Sequence, residues 1–265
     1  MDLNKKTIWI TGASSGIGEA LALQYAKLGH NLILSARRQT ELNKVADVCN
    51  SLGATSFVLP IDLSQLDNPE RIVKDALAIT GKIDILVNNG GISQRGLAVE
   101  TNMDVVKRIM EINFFGHVAL SNALLPHFIK AGGGQFAVLS SLTGKFGYGL
   151  RSTYAASKHA LHGYFESLAI ENFKNNIHVT MICPGRILTN ISINAINGDG
   201  SNYGQMDDGQ KNGIAADMCA NIIIKAIDQK KREILIGKKD KLMVYVKRFC
   251  PAMFFKIAIR LDPRK

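Results

Sequence analysis

Thr7-Ile8-Trp9-Ile10-Thr11-Gly12-Ala13-Ser14-Ser15-Gly16-Ile17-Gly18 is the stretch that decides the fold. Its first five residues, TIWIT, are apolar and β-branched and read as a buried strand. A glycine-rich turn follows directly. After it, apolar residues recur at Ile17, Leu21, Ala22, Tyr25 and Leu28, the period of a helix, which Gly29 ends. Strand, glycine turn and helix in that order give the glycines a meaning they lack alone. Gly12 permits a tight turn, and Gly16 and Gly18 let backbone approach a phosphate or let the helix sit close to the sheet. The helix N-terminus, with Ser14, Ser15 and Ile17 in the same turn, offers free N–H groups to a pyrophosphate. The spacing is G-x-x-x-G-x-G rather than G-x-G-x-x-G, and a turn that serves packing alone is the competing reading.

Working outward, Asn31 to Ala36 reads as a second strand, with Arg37 and Arg38 at its end and no acidic residue between Asn31 and Gln39. In dinucleotide folds an acidic residue near this point suits the ribose hydroxyls of NAD, and a basic one the 2′-phosphate of NADP. Guanidinium groups match phosphate geometry. The expectation is NADP(H) in preference to NAD(H), with Arg37 ahead of Arg38 as the contact; the alternative is two solvated arginines. Gln39 to Leu52 reads as a helix and Thr55 to Pro60 as a third strand. Asp62, with Leu63 beside it, follows that strand; its carboxylate either accepts from an adenine amino group or makes a turn. Pro69 to Thr80 is a helix that Gly81 stops, and Ile83 to Val87 a fourth strand. Asn88-Asn89-Gly90-Gly91 then stands at a strand's carboxyl end, where open α/β sheets bind ligands, or forms a plain turn.

A long helical pattern runs from Thr101 to Lys130 with Asn113 in its apolar face. That residue is either a satisfied core amide or the site of a kink with water. Gln135 to Ser140 reads as a fifth strand with Ser141 at its end, Ile177 to Cys183 as a sixth, and Glu233 to Ile236 as a short last one. The Tyr154 helix runs to about Phe173, and Ala215 to Asp228 is another helix. Strands alternate with helices throughout. The expected fold is therefore α/β: one Rossmann-like domain over residues 1–265, a doubly wound parallel sheet of about seven strands with helices on both faces. Residues 190–213 are polar and glycine-containing and read as a substrate loop or lid.

Tyr154 and Lys158 stand four residues apart on one helix, so they share a face. An unperturbed tyrosine has a pKa of about 10, and a cation held nearby lowers it. Such a pair either exchanges protons with an alcohol or a carbonyl, with Ser141 placed to hold the reacting oxygen, or is an ordinary exposed Tyr and Lys on a helix.

The chain has 265 residues, 46% hydrophobic and 20% charged, as an ordinary globular protein does. Cys49, Cys183, Cys219 and Cys250 are scattered, with no zinc spacing or disulfide framework; no metal is expected, and reduced thiols point to the cytoplasm. The N-terminus shows no signal-peptide pattern and no window is long enough for a transmembrane helix. The net charge of +10 suits nucleic acid, an anionic membrane or a phosphorylated ligand, and the lack of any nucleic-acid motif puts nucleic acid last. The tail, 238–265, is basic and amphipathic, split by Pro251, and reads as a membrane-surface segment, a cover for an apolar pocket or a subunit contact.

Together these motifs resemble the short-chain dehydrogenase/reductase family. Thr11 to Gly18 is similar to T-G-x-x-x-G-x-G, and Asn88-Asn89-Gly90-Gly91 to N-N-A-G with Gly90 in the alanine's place. Asn113 is similar to the family's helix asparagine, and Ser141 stands thirteen residues before the Y-x-x-x-K of Tyr154 and Lys158. Pro184-Gly185 through Thr189 matches P-G-x-x-x-T. The resemblance implies a hydride-transferring oxidoreductase. Tyr154 would be general acid and base, and Lys158 would lower its pKa and bond the nicotinamide ribose. Ser141 would orient the carbonyl, and Asn113 would hold a relay water. Pro184, Gly185, the backbone of Ile187 and Thr189 would lie at the nicotinamide end. It implies a homodimer or homotetramer, and within the family the stretch from Ser140 to Leu168 looks closest to microsomal-type members that reduce lipophilic carbonyls. The alternatives are a 3-oxoacyl-thioester reductase serving an acidic acyl carrier protein, and a non-catalytic NADP-binding scaffold or redox sensor.

Overall fold

The computed structural model describes residues 5–261. Residues 1–4, where the N-terminal expectation begins, and 262–265, the end of the tail, lie outside them. Seven parallel strands form the main sheet: β1 (Thr7–Thr11), β2 (Asn31–Ser35), β3 (Thr55–Val58), β4 (Ile85–Asn88), β5 (Gly134–Leu139), β6 (Ile177–Pro184) and β7 (Glu233–Ile236). Their order across the sheet is β7-β6-β5-β4-β1-β2-β3. The chain leaves β1 for β2 on one side and later resumes at β4 on the other. That reversal opens a crevice at the carboxyl ends of β1 and β4.

Alternate residues of a strand serve opposite faces. Ile8 and Ile10 pack with Leu32 and Leu34 against α1 (Gly16–Lys27), α2 (Gln39–Ser51) and, further along the chain, the helix Ala216–Asp228. Trp9 points the other way and joins Ile33, Leu86 and Phe136 under α3 (Pro69–Thr80) and later helices. Its indole N–H is satisfied by Ser35 Oγ at 2.9 Å. The α3 ends are where the sequence put them: Asn68 Oδ1 accepts from Arg71 N at 2.9 Å, and Gly81 takes φ 74°.

Two of the differences from expectation trace to particular side chains. The fourth strand starts at Ile85, not Ile83, because the Asp84 carboxylate takes the Thr7 N–H at 2.7 Å in place of a ladder bond. The long helix is three pieces, α4 (Met103–Met110), a wide π-type turn over Glu111–Phe115, and α5 (Gly116–Lys130). Asn113 lies inside the wide turn. At its end Gly116 sits against the loop after β3, where a Cβ would lie 2.4 Å from Leu63 O.

Past α6 (Ser152–Glu171) and β6, the polar segment 190–213 is anchored rather than loose. Ile187–Leu188 pairs with Ile214–Ala215, Gln94–Arg95 pairs with Ile196–Asn197, and one helical turn, α7, spans Asp208–Lys211. After α8 (Ala216–Asp228) and β7 the tail forms two short helices, α9 (Leu242–Phe249) and α10 (Pro251–Ala258). Phe254 is buried against Phe146, ring centroids 5.4 Å apart, so α10 covers the loop after Ser141. No helix among the described residues is long and apolar enough to cross a membrane.

Candidate active site

Tyr154 and Lys158 lie in the first two turns of α6, buried, and face a cavity of about 860 Å³ at the crevice. Ser141, where the backbone leaves β5, stands beside the Tyr154 phenol and draws its pKa down. Its own hydroxyl is held by the Pro184 carbonyl at 3.3 Å and by the Thr143 backbone N–H at 3.2 Å. Burial pushes the Tyr154 phenol above its ordinary value. The Ser141 hydroxyl and the Arg151 and Arg95 charges pull the other way. This corrects the sequence reading, in which the Lys158 charge lowers the tyrosine. The Lys158 ammonium donates to Leu139 O at 2.7 Å and stands 5.8 Å from the centre of the Tyr154 ring. Burial brings Lys158 down to about 8.

Asn113 does not line the cavity. Its Oδ1 accepts from Ile92 N at 2.9 Å, and Nδ2 donates to Ile92 O at 2.9 Å and to Ser157 Oγ at 3.1 Å. Both amide hydrogens are spent on protein groups, the satisfied-amide reading. Gly91 separates it from the lysine: a Cβ there would lie 3.1 Å from Asn113 Oδ1 and 3.7 Å from Lys158 Nζ.

The glycine turn lines the same cavity through Gly12, Ser14, Ser15, Gly16 and Ile17. Gly12 has φ 65°, and a Cβ on it would strike Asn89 Nδ2 and Gly90 Cα at 2.8 Å. Gly16 has φ 62° and faces Thr189. Gly18 does not line the cavity; a Cβ there would meet Gly12 O at 2.3 Å, so its role is to let α1 lie against the turn. Ser15 precedes α1 without a side-chain cap, which leaves the helix's first N–H groups open to a ligand. Arg37 and Arg38 are exposed on the cavity wall, and neither has an ion-pair partner among the described residues.

Asp62 and Leu63 line the cavity, and Asp62 Oδ1 accepts from Ser64 N at 2.9 Å and Ser64 Oγ at 2.7 Å within its turn. The Asn89 amide ties β4 to β1 by donating to Thr11 O at 2.9 Å and Gly12 O at 3.2 Å. Gly90 leaves the space that Leu63 Cδ1 fills, since a Cβ would lie 2.5 Å from it. Pro184, Gly185, Ile187 and Thr189 all reach the cavity. There Gln210 of α7 donates to the Ile187 carbonyl and, at 3.3 Å, to Thr189 Oγ1.

The sequence reading missed a buried charge cluster in the cavity wall. Asp207 accepts from Arg95 Nη2, from Arg95 Nε at 3.1 Å and from Arg151 Nη2 at 3.0 Å. Arg95 follows the Asn88–Gly91 turn, Arg151 precedes α6 and Asp207 belongs to the polar segment, so no local pattern joins them. His117 was also missed. It is fully buried, donates from Nε2 to Gly90 O at 2.6 Å, and is brought down to about 3 by burial and the Lys158 charge.

The short chain dehydrogenase family model matches residues 6–199. A Drosophila melanogaster protein named dehydrogenase/reductase SDR family protein 7-like is 40% identical over 266 aligned residues, 97% of this chain and 82% of that one. Among solved structures, a short-chain dehydrogenase from Streptomyces avermitilis is 27% identical with a TM-score of 0.82, covering 99% of this chain and 100% of that one. An alcohol dehydrogenase from Thermococcus sibiricus, complexed with 5-hydroxy-NADP, is 25% identical with a TM-score of 0.76 over 88% of this chain and 97% of that one.

Proposed function

The chain belongs to the short-chain dehydrogenase family, and from that premise we propose that it is an NADP(H)-dependent oxidoreductase that interconverts a carbonyl and a secondary alcohol on a lipophilic substrate. One observation carries the reading: the Ser141–Tyr154–Lys158 group, the uncapped start of α1 and the exposed Arg37 and Arg38 all face one cavity.

The residues present fit a nicotinamide dinucleotide. The left-handed Gly12 and Gly16 leave a cradle that side chains would fill, and the α1 N-terminus supplies N–H donors to a pyrophosphate. Arg37 and Arg38 would hold a 2′-phosphate. When bound, the nicotinamide supplies the hydride. Ser141 and Tyr154 hold the carbonyl oxygen by hydrogen bonds, and Tyr154 gives its proton as charge develops there. The phenolate left behind is stabilised by the Arg151 and Arg95 charges. Lys158, which titrates near about 8, is placed one turn away to return a proton. Phe146, Phe254 and Ile257 give the substrate end of the cavity an apolar wall.

The tail helices border that wall. Tyr245, Phe249, Phe255 and Ile259 are exposed among Lys241, Arg248, Lys256 and Arg260, and no acidic residue stands between 241 and 261. We propose that this surface touches anionic membrane, from which a lipophilic substrate enters. Phe115, Ile129, Ile170 and Phe173, exposed on or beside the α5 and α6 helices, suit a homo-oligomer contact.

The test is a panel of free ketones and acetoacetyl thioesters with NADPH, run on the parent and on Tyr154→Phe. The expected result is turnover on free ketones, a loss of about 10²- to 10⁴-fold in the variant and unchanged NADPH affinity. Full turnover by Tyr154→Phe refutes the mechanism, and preference for the thioesters refutes the substrate class.

A further inference from the structure

Behind the Ser141 loop four elements bring together groups that line no part of the cavity. His162 lies one turn past Lys158 on α6, Cys183 near the end of β6, Glu233 at the start of β7, and Lys145 just after the Leu142–Gly144 turn. One ligand atom from each of His162, Cys183 and Glu233 lies within 4.8 Å of the others. Cys183 Sγ is 3.6 Å from His162 Nε2. A tetrahedral zinc ion, about 2.3 Å from sulfur and about 2.0–2.1 Å from imidazole nitrogen, sets those two atoms about 3.5 Å apart. The pair therefore already stands at ligand spacing. At the other ring nitrogen, Nδ1, Glu166 Oε1 lies at 3.5 Å and Glu233 Oε2 at 3.7 Å; Glu233 has to turn toward the Nε2 side to join the ion, which leaves Glu166 as the acceptor for the second N–H. His162 and Cys183 are buried, while the Glu233 side chain is 35% exposed and opens a way in.

We propose that His162, Cys183 and Glu233 bind Zn²⁺ or a similar thiolate-seeking divalent ion, with water in the fourth position, and that occupancy slows the enzyme by releasing the Ser141 loop.

Lys145 now holds the Glu233 carboxylate that the ion would need. Its ammonium contacts Glu233 and lies 3.2 Å from His162 Nδ1, which ties the loop after Ser141 to α6 and β7. Metal entry sends the ammonium to solvent and the thiol proton to water. The S–H bond breaks, a sulfur–metal bond forms and nothing is oxidised. Two positive charges leave and two arrive. Thiolate, carboxylate and neutral imidazole around a dication sum to zero, the balance a buried site tolerates. Loss of the Lys145 ties then frees the loop that positions Ser141 beside Tyr154. The slowing rests on the role proposed for Ser141; the binding does not.

The experiment uses the full chain carrying Cys250→Ser, which removes the exposed thiol. Co²⁺ is titrated in and the near-ultraviolet thiolate-to-cobalt charge-transfer band is read. One equivalent should raise the band and Zn²⁺ should bleach it. Cys183→Ser and His162→Ala should each lose it while keeping the parent's circular dichroism and NADPH affinity. Lys145→Met should bind Co²⁺ more tightly, because no ammonium has to leave. A band that survives in Cys183→Ser, or none in the folded parent, overturns the site. Carbonyl turnover should fall as Zn²⁺ is added to the parent and hold in Cys183→Ser. Turnover that holds in both, or falls equally in both, overturns the slowing whatever the cobalt spectrum shows.

Discussion

Asp207→Asn removes the charge that the buried Arg95 and the half-buried Arg151 share. The Arg151–Asp207 contact is 3.0 Å, and at an effective dielectric of about 20 that distance is worth about 5 kcal/mol of gross attraction. Asparagine keeps one acceptor oxygen but no charge. Arg95 retains Ser93 Oγ at 2.8 Å and the Gln94 carbonyl, while among the described residues Arg151 retains only its place over the Tyr148 ring, 5.3 Å from its centre. We expect a loss of about 3 kcal/mol, the low end for removing one partner of a buried pair. Asp207 belongs to the 190–213 segment, so the loss falls on local opening before global unfolding. Tyr203 N bonds Ala195 O at 2.8 Å and Gly204 N bonds Ile193 O at 3.1 Å, and both amides report on that opening. Three kcal/mol is about a hundredfold. Hydrogen exchange followed by mass spectrometry should show these amides losing about a hundredfold in protection, with protection of the β1 and β5 amides unchanged. Protection in 190–213 within about threefold of the parent would refute the view that the buried cluster latches this segment.

Arg37→Ala should weaken NADPH binding by about 10- to 100-fold and leave NADH binding unchanged, read by fluorescence titration, because a charge-assisted hydrogen bond is worth about 1.5–3 kcal/mol. Equal effects on both cofactors would point the guanidinium at solvent. Burial holds His117 near about 3 in the fold, with the Lys158 charge beside it, against about 6.5 unfolded. As pH falls below about 6.5 the unfolded chain takes up the proton first, so stability drops from there down to about 3. Urea unfolding should show a loss of roughly 3 kcal/mol from this residue between about pH 7 and about pH 4, and His117→Gln should flatten that part of the profile. Full-length protein should sediment with anionic vesicles, and deletion of Met243 to Lys265 should abolish it; a full-length chain that ignores such vesicles ends the membrane reading.

What the sequence determined by itself was local. Gly12 to Gly18 could be read because strand, turn and helix are neighbours in the chain, and a backbone φ of 65° at Gly12 is a property of that residue type. Tyr154 and Lys158 could be paired because a helix repeats every 3.6 residues. The parallel, doubly wound sheet then followed from alternation of strands and helices.

Other parts were decided only when distant segments met. Asn113 spends its amide on Ile92 and Ser157, 21 and 44 residues away, inside a wide turn that the apolar period does not announce. Arg95 and Asp207 are 112 residues apart, yet each is satisfied by the other. His162 and Cys183 are 21 residues apart and meet only in the fold, Sγ 3.6 Å from Nε2. Burial also reversed one electrostatic expectation: Tyr154 is pushed up rather than down, and Lys158 turns to the Leu139 carbonyl. The cost of removing a charge from water depends on everything packed around it. Periodicity and residue type carry the first kind of information along the chain, and only the closed packing of the sheet and its helices creates the second.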